Sequence, residues 1–168
     1  MLFPGSGTSV LDSNQLGEEM ITRDKNELEF DDGGATSFER LPYTGRAEWR
    51  DRNGILRNSR EYAEGLEHGL QQDWHPNGRL AMEETTCCHQ LHGYRREWYS
   101  NGQLKCELLA EHGIRFISKY WDEAGNLVKA VDHEVTQQWL DILHKERAKA
   151  RAAGYGPPPG VDPALLPP

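Results

Sequence analysis

Between residues 46 and 110 the chain alternates short apolar–polar runs with clusters built on Asn and Gly. The clearest run, 104–110, sets Leu104, Cys106, Leu108 and Ala110 on one side, the period-2 signature of a half-buried strand. Runs 46–50, 70–75 and 94–99 lead into Asn-Gly, and runs 56–62, 80–86 and 104–110 lead out. Both residues of Asn-Gly tolerate positive φ, so each pair of runs predicts a β-hairpin closed by a type I′ turn. The segments Gly65 to Gly69 and His89 to Gly93 then turn the chain into the next hairpin. After residue 132 the period changes. Val135, Trp139, Ile142 and Leu143 fall at helical spacing, Asp132 can cap the start, and Gly154 stops the helix. Lys145, Arg147, Lys149 and Arg151 suit the negative end of its dipole.

The hairpins repeat. Asn53-Gly54, Asn77-Gly78 and Asn101-Gly102 stand 24 residues apart, and Gly125 follows Gly102 by 23. Gly45, Gly69 and Gly93 keep the step of 24. Trp49, Trp74, Trp98 and Trp121 precede Gly54, Gly78, Gly102 and Gly125 by four or five residues, and Leu56, Leu80, Leu104 and Leu127 follow by two. One hairpin is not stable alone in water, but stacked neighbours are. The expected fold is mainly β: a single-layer antiparallel sheet of consecutive hairpins, eight to ten strands in up-and-down order, elongated, exposing both faces and closed by a C-terminal capping helix. The fourth unit is one residue short and has Ile117 in place of the second glycine, as suits a terminal unit. Residues 1–14 read as a flexible Gly/Ser-rich N-terminus and 15–133 as the repeat domain. Leu16, Met20, Ile21, Leu28 and Phe30 mark one or two N-terminal capping strands. Residues 134–154 form the helix, and 155–168 a Pro-rich tail, extended and disordered.

Charge narrows the partners. With 19 basic and 27 acidic residues the formal net charge is −8, which disfavours nucleic acid and anionic membranes and suits a basic protein. Hydrophobic content of 36% argues against a thick two-layer core, and five Trp and six Tyr supply burial instead. No apolar run reaches the ~18 residues that cross a bilayer, and the first residues lack a secretory pattern, so the expected compartment is the cytoplasm. Three cysteines, two of them adjacent, make no disulfide framework.

Candidate chemistry is sparse. Trp49, Trp74, Trp98 and Trp121 read as a structural aromatic row shielding one face, with Gly54, Gly78, Gly102 and Gly125 as the structural turn residues. A stacking platform for a small ligand is the alternative for the Trp row. Glu48, Asp73 and Glu97 sit beside a Trp in sequence and therefore on the opposite face of the strand. With Tyr99 they are the expected partner-binding residues, unless Arg46, Arg50, Arg95 and Arg96 simply pair with them. Cys87, Cys88, His89, His92 and Cys106 are the residues that could bind a metal. Adjacent cysteines in a strand point to opposite faces, and Cys106 fits the apolar stripe, so no metal is expected. No nucleophile-elbow, zinc-protease or phosphate-loop motif occurs, so neither catalysis nor a cofactor is expected. The helix reads as a cap, with partner binding as its alternative. Leu165 and Leu166 between prolines could dock in another chain's groove, although a disordered terminus is the expectation.

The segment Leu41-Pro42-Tyr43-Thr44-Gly45, the Trp…Asn-Gly-x-Leu unit, and His68-Gly69 and His92-Gly93 opening later units resemble the variant MORN repeat. More narrowly they resemble the YwqK-type antitoxin or immunity proteins of bacteria. The resemblance covers roughly residues 41–130 and leaves the helix and tail outside. It implies a protein-binding module that neutralises a cognate toxin or effector, a basic protein by the charge argument above. Two alternatives stand beside it: a self-assembling scaffold that dimerises through sheet edges, and a small-ligand sequestering protein of the phage counter-defence type.

Overall fold

Sequential hairpins give a sheet whose order is the order of the chain, and the structure, a computed structural model, has that form over the residues it describes, 20–168. The strands are β1 (Thr22–Asp24), β2 (Glu29–Phe30), β3 (Thr36–Phe38), β4 (Leu41–Pro42), β5 (Gly45–Arg50) and β6 (Leu56–Ala63). They continue as β7 (Leu66–Trp74), β8 (Leu80–Cys87), β9 (Gln90–Trp98), β10 (Leu104–Glu111), β11 (Ile114–Trp121) and β12 (Leu127–Asp132). Strands β5 to β12 pair antiparallel in sequence order, and β1 adds parallel to β5 at the edge, making nine strands. A short sheet β2-β3-β4 stands beside that edge. The N-terminal cap is thus larger than the one or two strands expected, and the expected boundaries at 1–14 and the apolar point Leu16 lie outside the described residues.

The two ends of the hairpins use different turns. Asn-Gly does not form type I′ turns. At Asp51–Ile55 the Gly54 N–H donates to the Asp51 carbonyl and the Asp51 N–H to the Ile55 carbonyl, and Gly54 has positive φ (78°) while Asn53 does not. This is the three-residue loop in which a type I turn is followed by a left-handed glycine. The same bonds recur at His75–Arg79, Tyr99–Gln103 and Asp122–Asn126. Pro76 fits the first central position, which needs a φ near −60°. Asn instead ties neighbouring units together: Asn77 Nδ2 donates to the Ser100 carbonyl, and Asn101 Nδ2 to the Glu123 carbonyl. The type I′ turns lie at the other end, at Glu64-Gly65, Cys88-His89 and His112-Gly113, where both residues have positive φ. Gly69 and Gly93 are therefore inside strands. Arg60 pairs with Gln71 and Tyr62 with Glu67, so β7 carries two extra residues around His68-Gly69. The same happens in β9 around His92-Gly93. At Gly69 a Cβ would collide with Glu61 Oε2, the oxygen that accepts from the Leu70 N–H.

The expectation that both faces are exposed is overturned. One face carries Tyr94, Leu109 and Ile117, opposite each other across β9, β10 and β11. Helix α1 (Gln137–Ala152) buries Leu143 against Leu109 and Phe116, and Val135, Val161 and Leu166 join the cluster. The tail is ordered and packs back. Pro158 is buried, and the Pro167 and Pro168 carbonyls meet Arg147 and His144. Prolines lack N–H donors, so such a segment lies on a surface without a strand partner. Arg147 forks onto Glu111, 2% exposed, with both contacts at 2.8 Å. This pair clamps the helix to β10. Asp132 ends β12 and does not cap the helix; Thr136 holds that position without a side-chain bond. A second small core, Leu28, Tyr43, Ala47 and Tyr62, lies under the N-terminal cap.

Candidate functional site

Register decides which side chains share a face. Across the sheet one row reads Glu48, Ser59, Gln72, Glu83, Arg96, Glu107 and Lys119. The adjacent row reads Trp49, Asn58, Asp73, Met82, Glu97, Cys106 and Tyr120. Neighbouring rows point to opposite faces. Asp73 and Glu97 thus share a face, and Glu48 stands on the other. Trp49 takes the place in line that Glu48 was expected to fill. The signal was in the sequence: Trp49 precedes its turn glycine by five residues, and Trp74, Trp98 and Trp121 precede theirs by four. A slip of one residue reverses a side chain's face. The Trp row is accordingly broken at its first member, which lines a hollow with Lys25, Leu28, Phe30 and Asn58.

The face not covered by the helix holds a groove of about 680 Å³. Its walls include Glu84, Arg95, Glu97, Lys105, Leu108 and Tyr120. Arg95 is the hub, 3.0 Å from Glu84 and 2.7 Å from Glu97, and Lys105 approaches Glu97 at 3.4 Å. Burial acts to raise the Glu97 pKa, but Arg95 and Lys105 outweigh it and hold the carboxyl below its ordinary value. Arg60 clamps Asp73 at 2.6 Å further along the same face. Two of the four interleaved arginines pair with the expected acids, Arg50 with Glu48 and Arg95 with Glu97, whereas Arg46 meets Glu61 and Arg96 meets Glu107. Tyr99 lies in a turn, half-buried, and its hydroxyl donates to the Trp121 carbonyl. It ties two units together, a role that His75 takes one unit earlier with the Trp98 carbonyl.

The covered face has a second cluster at the type I′ end. His92, 4% exposed, packs against His112 with the rings tilted by 52° and their centroids 4.5 Å apart, and its Nε2 meets the Gly156 carbonyl. Burial first, and then the neighbouring His112, push the His92 pKa down to about 4. Tyr155 stacks on His68, also at 4.5 Å. The His68 pKa is lowered, chiefly by burial. Cys87 and Cys88 do not point apart. Cys88 is in the left-handed turn (φ 51°), not in the strand, and the two sulfurs lie 3.9 Å from each other. Burial and the second thiol push Cys87 up to about 12. Cys106 is buried in the other face, in line with Met82 and Glu97. The sequence brought neither His68 to the cysteines nor the tail to either of them, because both contacts depend on packing between distant segments.

A family profile for the MORN repeat variant matches residues 91–111, which span β9, the Asn101-Gly102 turn and β10. The chain thus carries a variant MORN repeat within its array of hairpins. No curated protein matches the chain, and no solved structure does. No helix among the described residues is long and apolar enough to cross a membrane.

Proposed function

We propose that this protein is a binding module of the immunity or antitoxin kind, which neutralises a cognate toxin or effector by covering its working surface. It acts without catalysis, in the cytoplasm, on a basic protein partner. The observation that carries this reading is the asymmetry of the sheet. The chain's own helix and tail occupy one face, while the other presents the groove around Arg95, Glu97 and Tyr120 with Asp73 further along it. A rigid sheet with preformed charge pairs presents Arg and Tyr at low ordering cost, as interface hot spots do. The net charge of −8 steers a basic partner toward it.

The test begins with capture of a partner from the native lysate and measurement of its affinity. Substituting Asp73→Lys with Glu97→Lys is expected to weaken binding at least tenfold, whereas Glu48→Lys on the opposite face leaves it within about twofold. Equal effects from the two faces overturn the assignment of the open face. A partner that is harmless when expressed alone overturns the antitoxin reading.

The free edge favours a second reading, self-association. Strand β12 has no further partner among the described residues, and Leu127 and Val128 are 55% and 62% exposed on it. Sedimentation over a range of concentrations tests this. A strict monomer removes it.

A further inference from the structure

We propose that His68, Cys87 and Cys88 form a binding site for one thiophilic d10 cation, Zn2+ or Cu+, with a fourth coordination position open. One ligand atom from each residue lies within 4.8 Å of the other two. The two sulfurs are 3.9 Å apart. Tetrahedral zinc with Zn–S bonds of about 2.3 Å sets its sulfurs roughly 3.8 Å from one another, so the thiols already stand at the separation an ion requires. Two thiolates and one imidazole form a donor set that suits Zn2+ and Cu+ and excludes hard cations such as Mg2+ and Ca2+.

Two further observations point to the same place. His68 Nδ1 is buried and has no hydrogen-bond partner among the described residues, although the ring is held between the sheet and Tyr155. A buried imidazole nitrogen left unpaired is costly unless something else bonds to it. The turn also shapes the pair of thiols. Glu64-Gly65 and His112-Gly113 place glycine at the second left-handed position of the type I′ turn, but Cys88-His89, like Glu39-Arg40 in the short sheet, places two side-chain-bearing residues there (φ 51° and 65°). Such strain persists where the conformation is needed, and this one brings the Cys88 thiol round to the side of Cys87. On binding, the cation replaces both thiol protons, which leave to solvent, and the two thiolates neutralise Zn2+. Solvent or an outside donor completes the coordination, since no fourth His, Cys, Asp or Glu joins the group among the described residues.

The test uses the full reduced chain under anaerobic conditions. Zn2+ and Cu+ are each titrated in competition with a chromophoric chelator, and Co2+ serves as a spectroscopic probe. One equivalent of Zn2+ or Cu+ is expected. Co2+ is expected to give thiolate charge-transfer bands and the intense d–d bands of a tetrahedral site. Cys88→Ser, an exposed turn position that the fold tolerates, is expected to weaken binding by about 100-fold or more, and His68→Gln by about tenfold. Cys106→Ser is expected to leave binding unchanged. Thermal melts of each variant without metal separate loss of the site from loss of the fold. The absence of binding by either ion, or binding that survives Cys87→Ser with Cys88→Ser, overturns the site.

Discussion

The two ends of the hairpins differ in kind. At the Asn-Gly end all four turns use the same loop, with Gly54, Gly78, Gly102 and Gly125 left-handed. Bonds from Asn side chains to backbone carbonyls link one unit to the next there. At the other end the turns hold Glu64-Gly65, Cys88-His89 and His112-Gly113, and the helix and tail pack over the strands that lead into them. The regular end repeats because successive units carry the same turn chemistry, and Asn77 and Asn101 each reach the next unit. The irregular end varies because each unit meets a different neighbour: Gly65 bonds to Thr36 and Tyr43 of the N-terminal cap, whereas His68 and His92 meet Tyr155 and Gly156 of the tail. Periodicity thus builds the scaffold, and departures from it mark where the chain is recruited for packing or chemistry.

The largest test of this contrast is the joint between sheet and helix. Leu109 is 0% exposed and touches Phe116 and Leu143. Leu109→Ala is expected to cost about 3 kcal/mol by chemical denaturation. A loss near that of an exposed apolar position would mean that the helix does not dock. A weaker lever is pH. The folded pKa of His92, near 4, is below its unfolded value near 6.5. The unfolded chain therefore binds more protons between these values, so this stabilisation is full above about pH 6.5 and is lost as pH falls toward 4. His92→Gln is expected to flatten the acid slope of stability by about 1–2 kcal/mol over that window, once solvent screening is allowed for. An unchanged slope would place His92 in solvent, away from the tail.

The smallest effects separate the turn types. A Cβ at Gly78 (φ 79°) meets nothing within 4 Å among the described residues, so Gly78→Ala tests conformation alone and is expected to destabilise by about 1 kcal/mol. His89→Gly relieves a left-handed residue and is expected to stabilise by about 0.5 kcal/mol. Melting temperatures that move in the same direction for both would erase the distinction between the two ends.

The sequence alone determined the hairpin array, its step of 24 residues, the antiparallel order of β5 to β12 and the existence of the C-terminal helix. Turn chemistry and alternation act over a few residues, and hairpin connections leave little freedom of topology. Even the face reversal of Trp49 was legible, as one residue of spacing. Three features were decided only by the tertiary structure. The parallel addition of β1 to β5 joins residues more than twenty positions apart. The return of residues 155–168 onto the sheet depends on Val161 and Leu166 finding Leu109 and Leu143. The meeting of His68 with Cys87 and Cys88 requires two strands in register and a left-handed turn. Local preferences repeat along the chain and can be read there, whereas contacts between distant segments depend on a packing free energy summed over the whole molecule, which no single stretch of sequence contains.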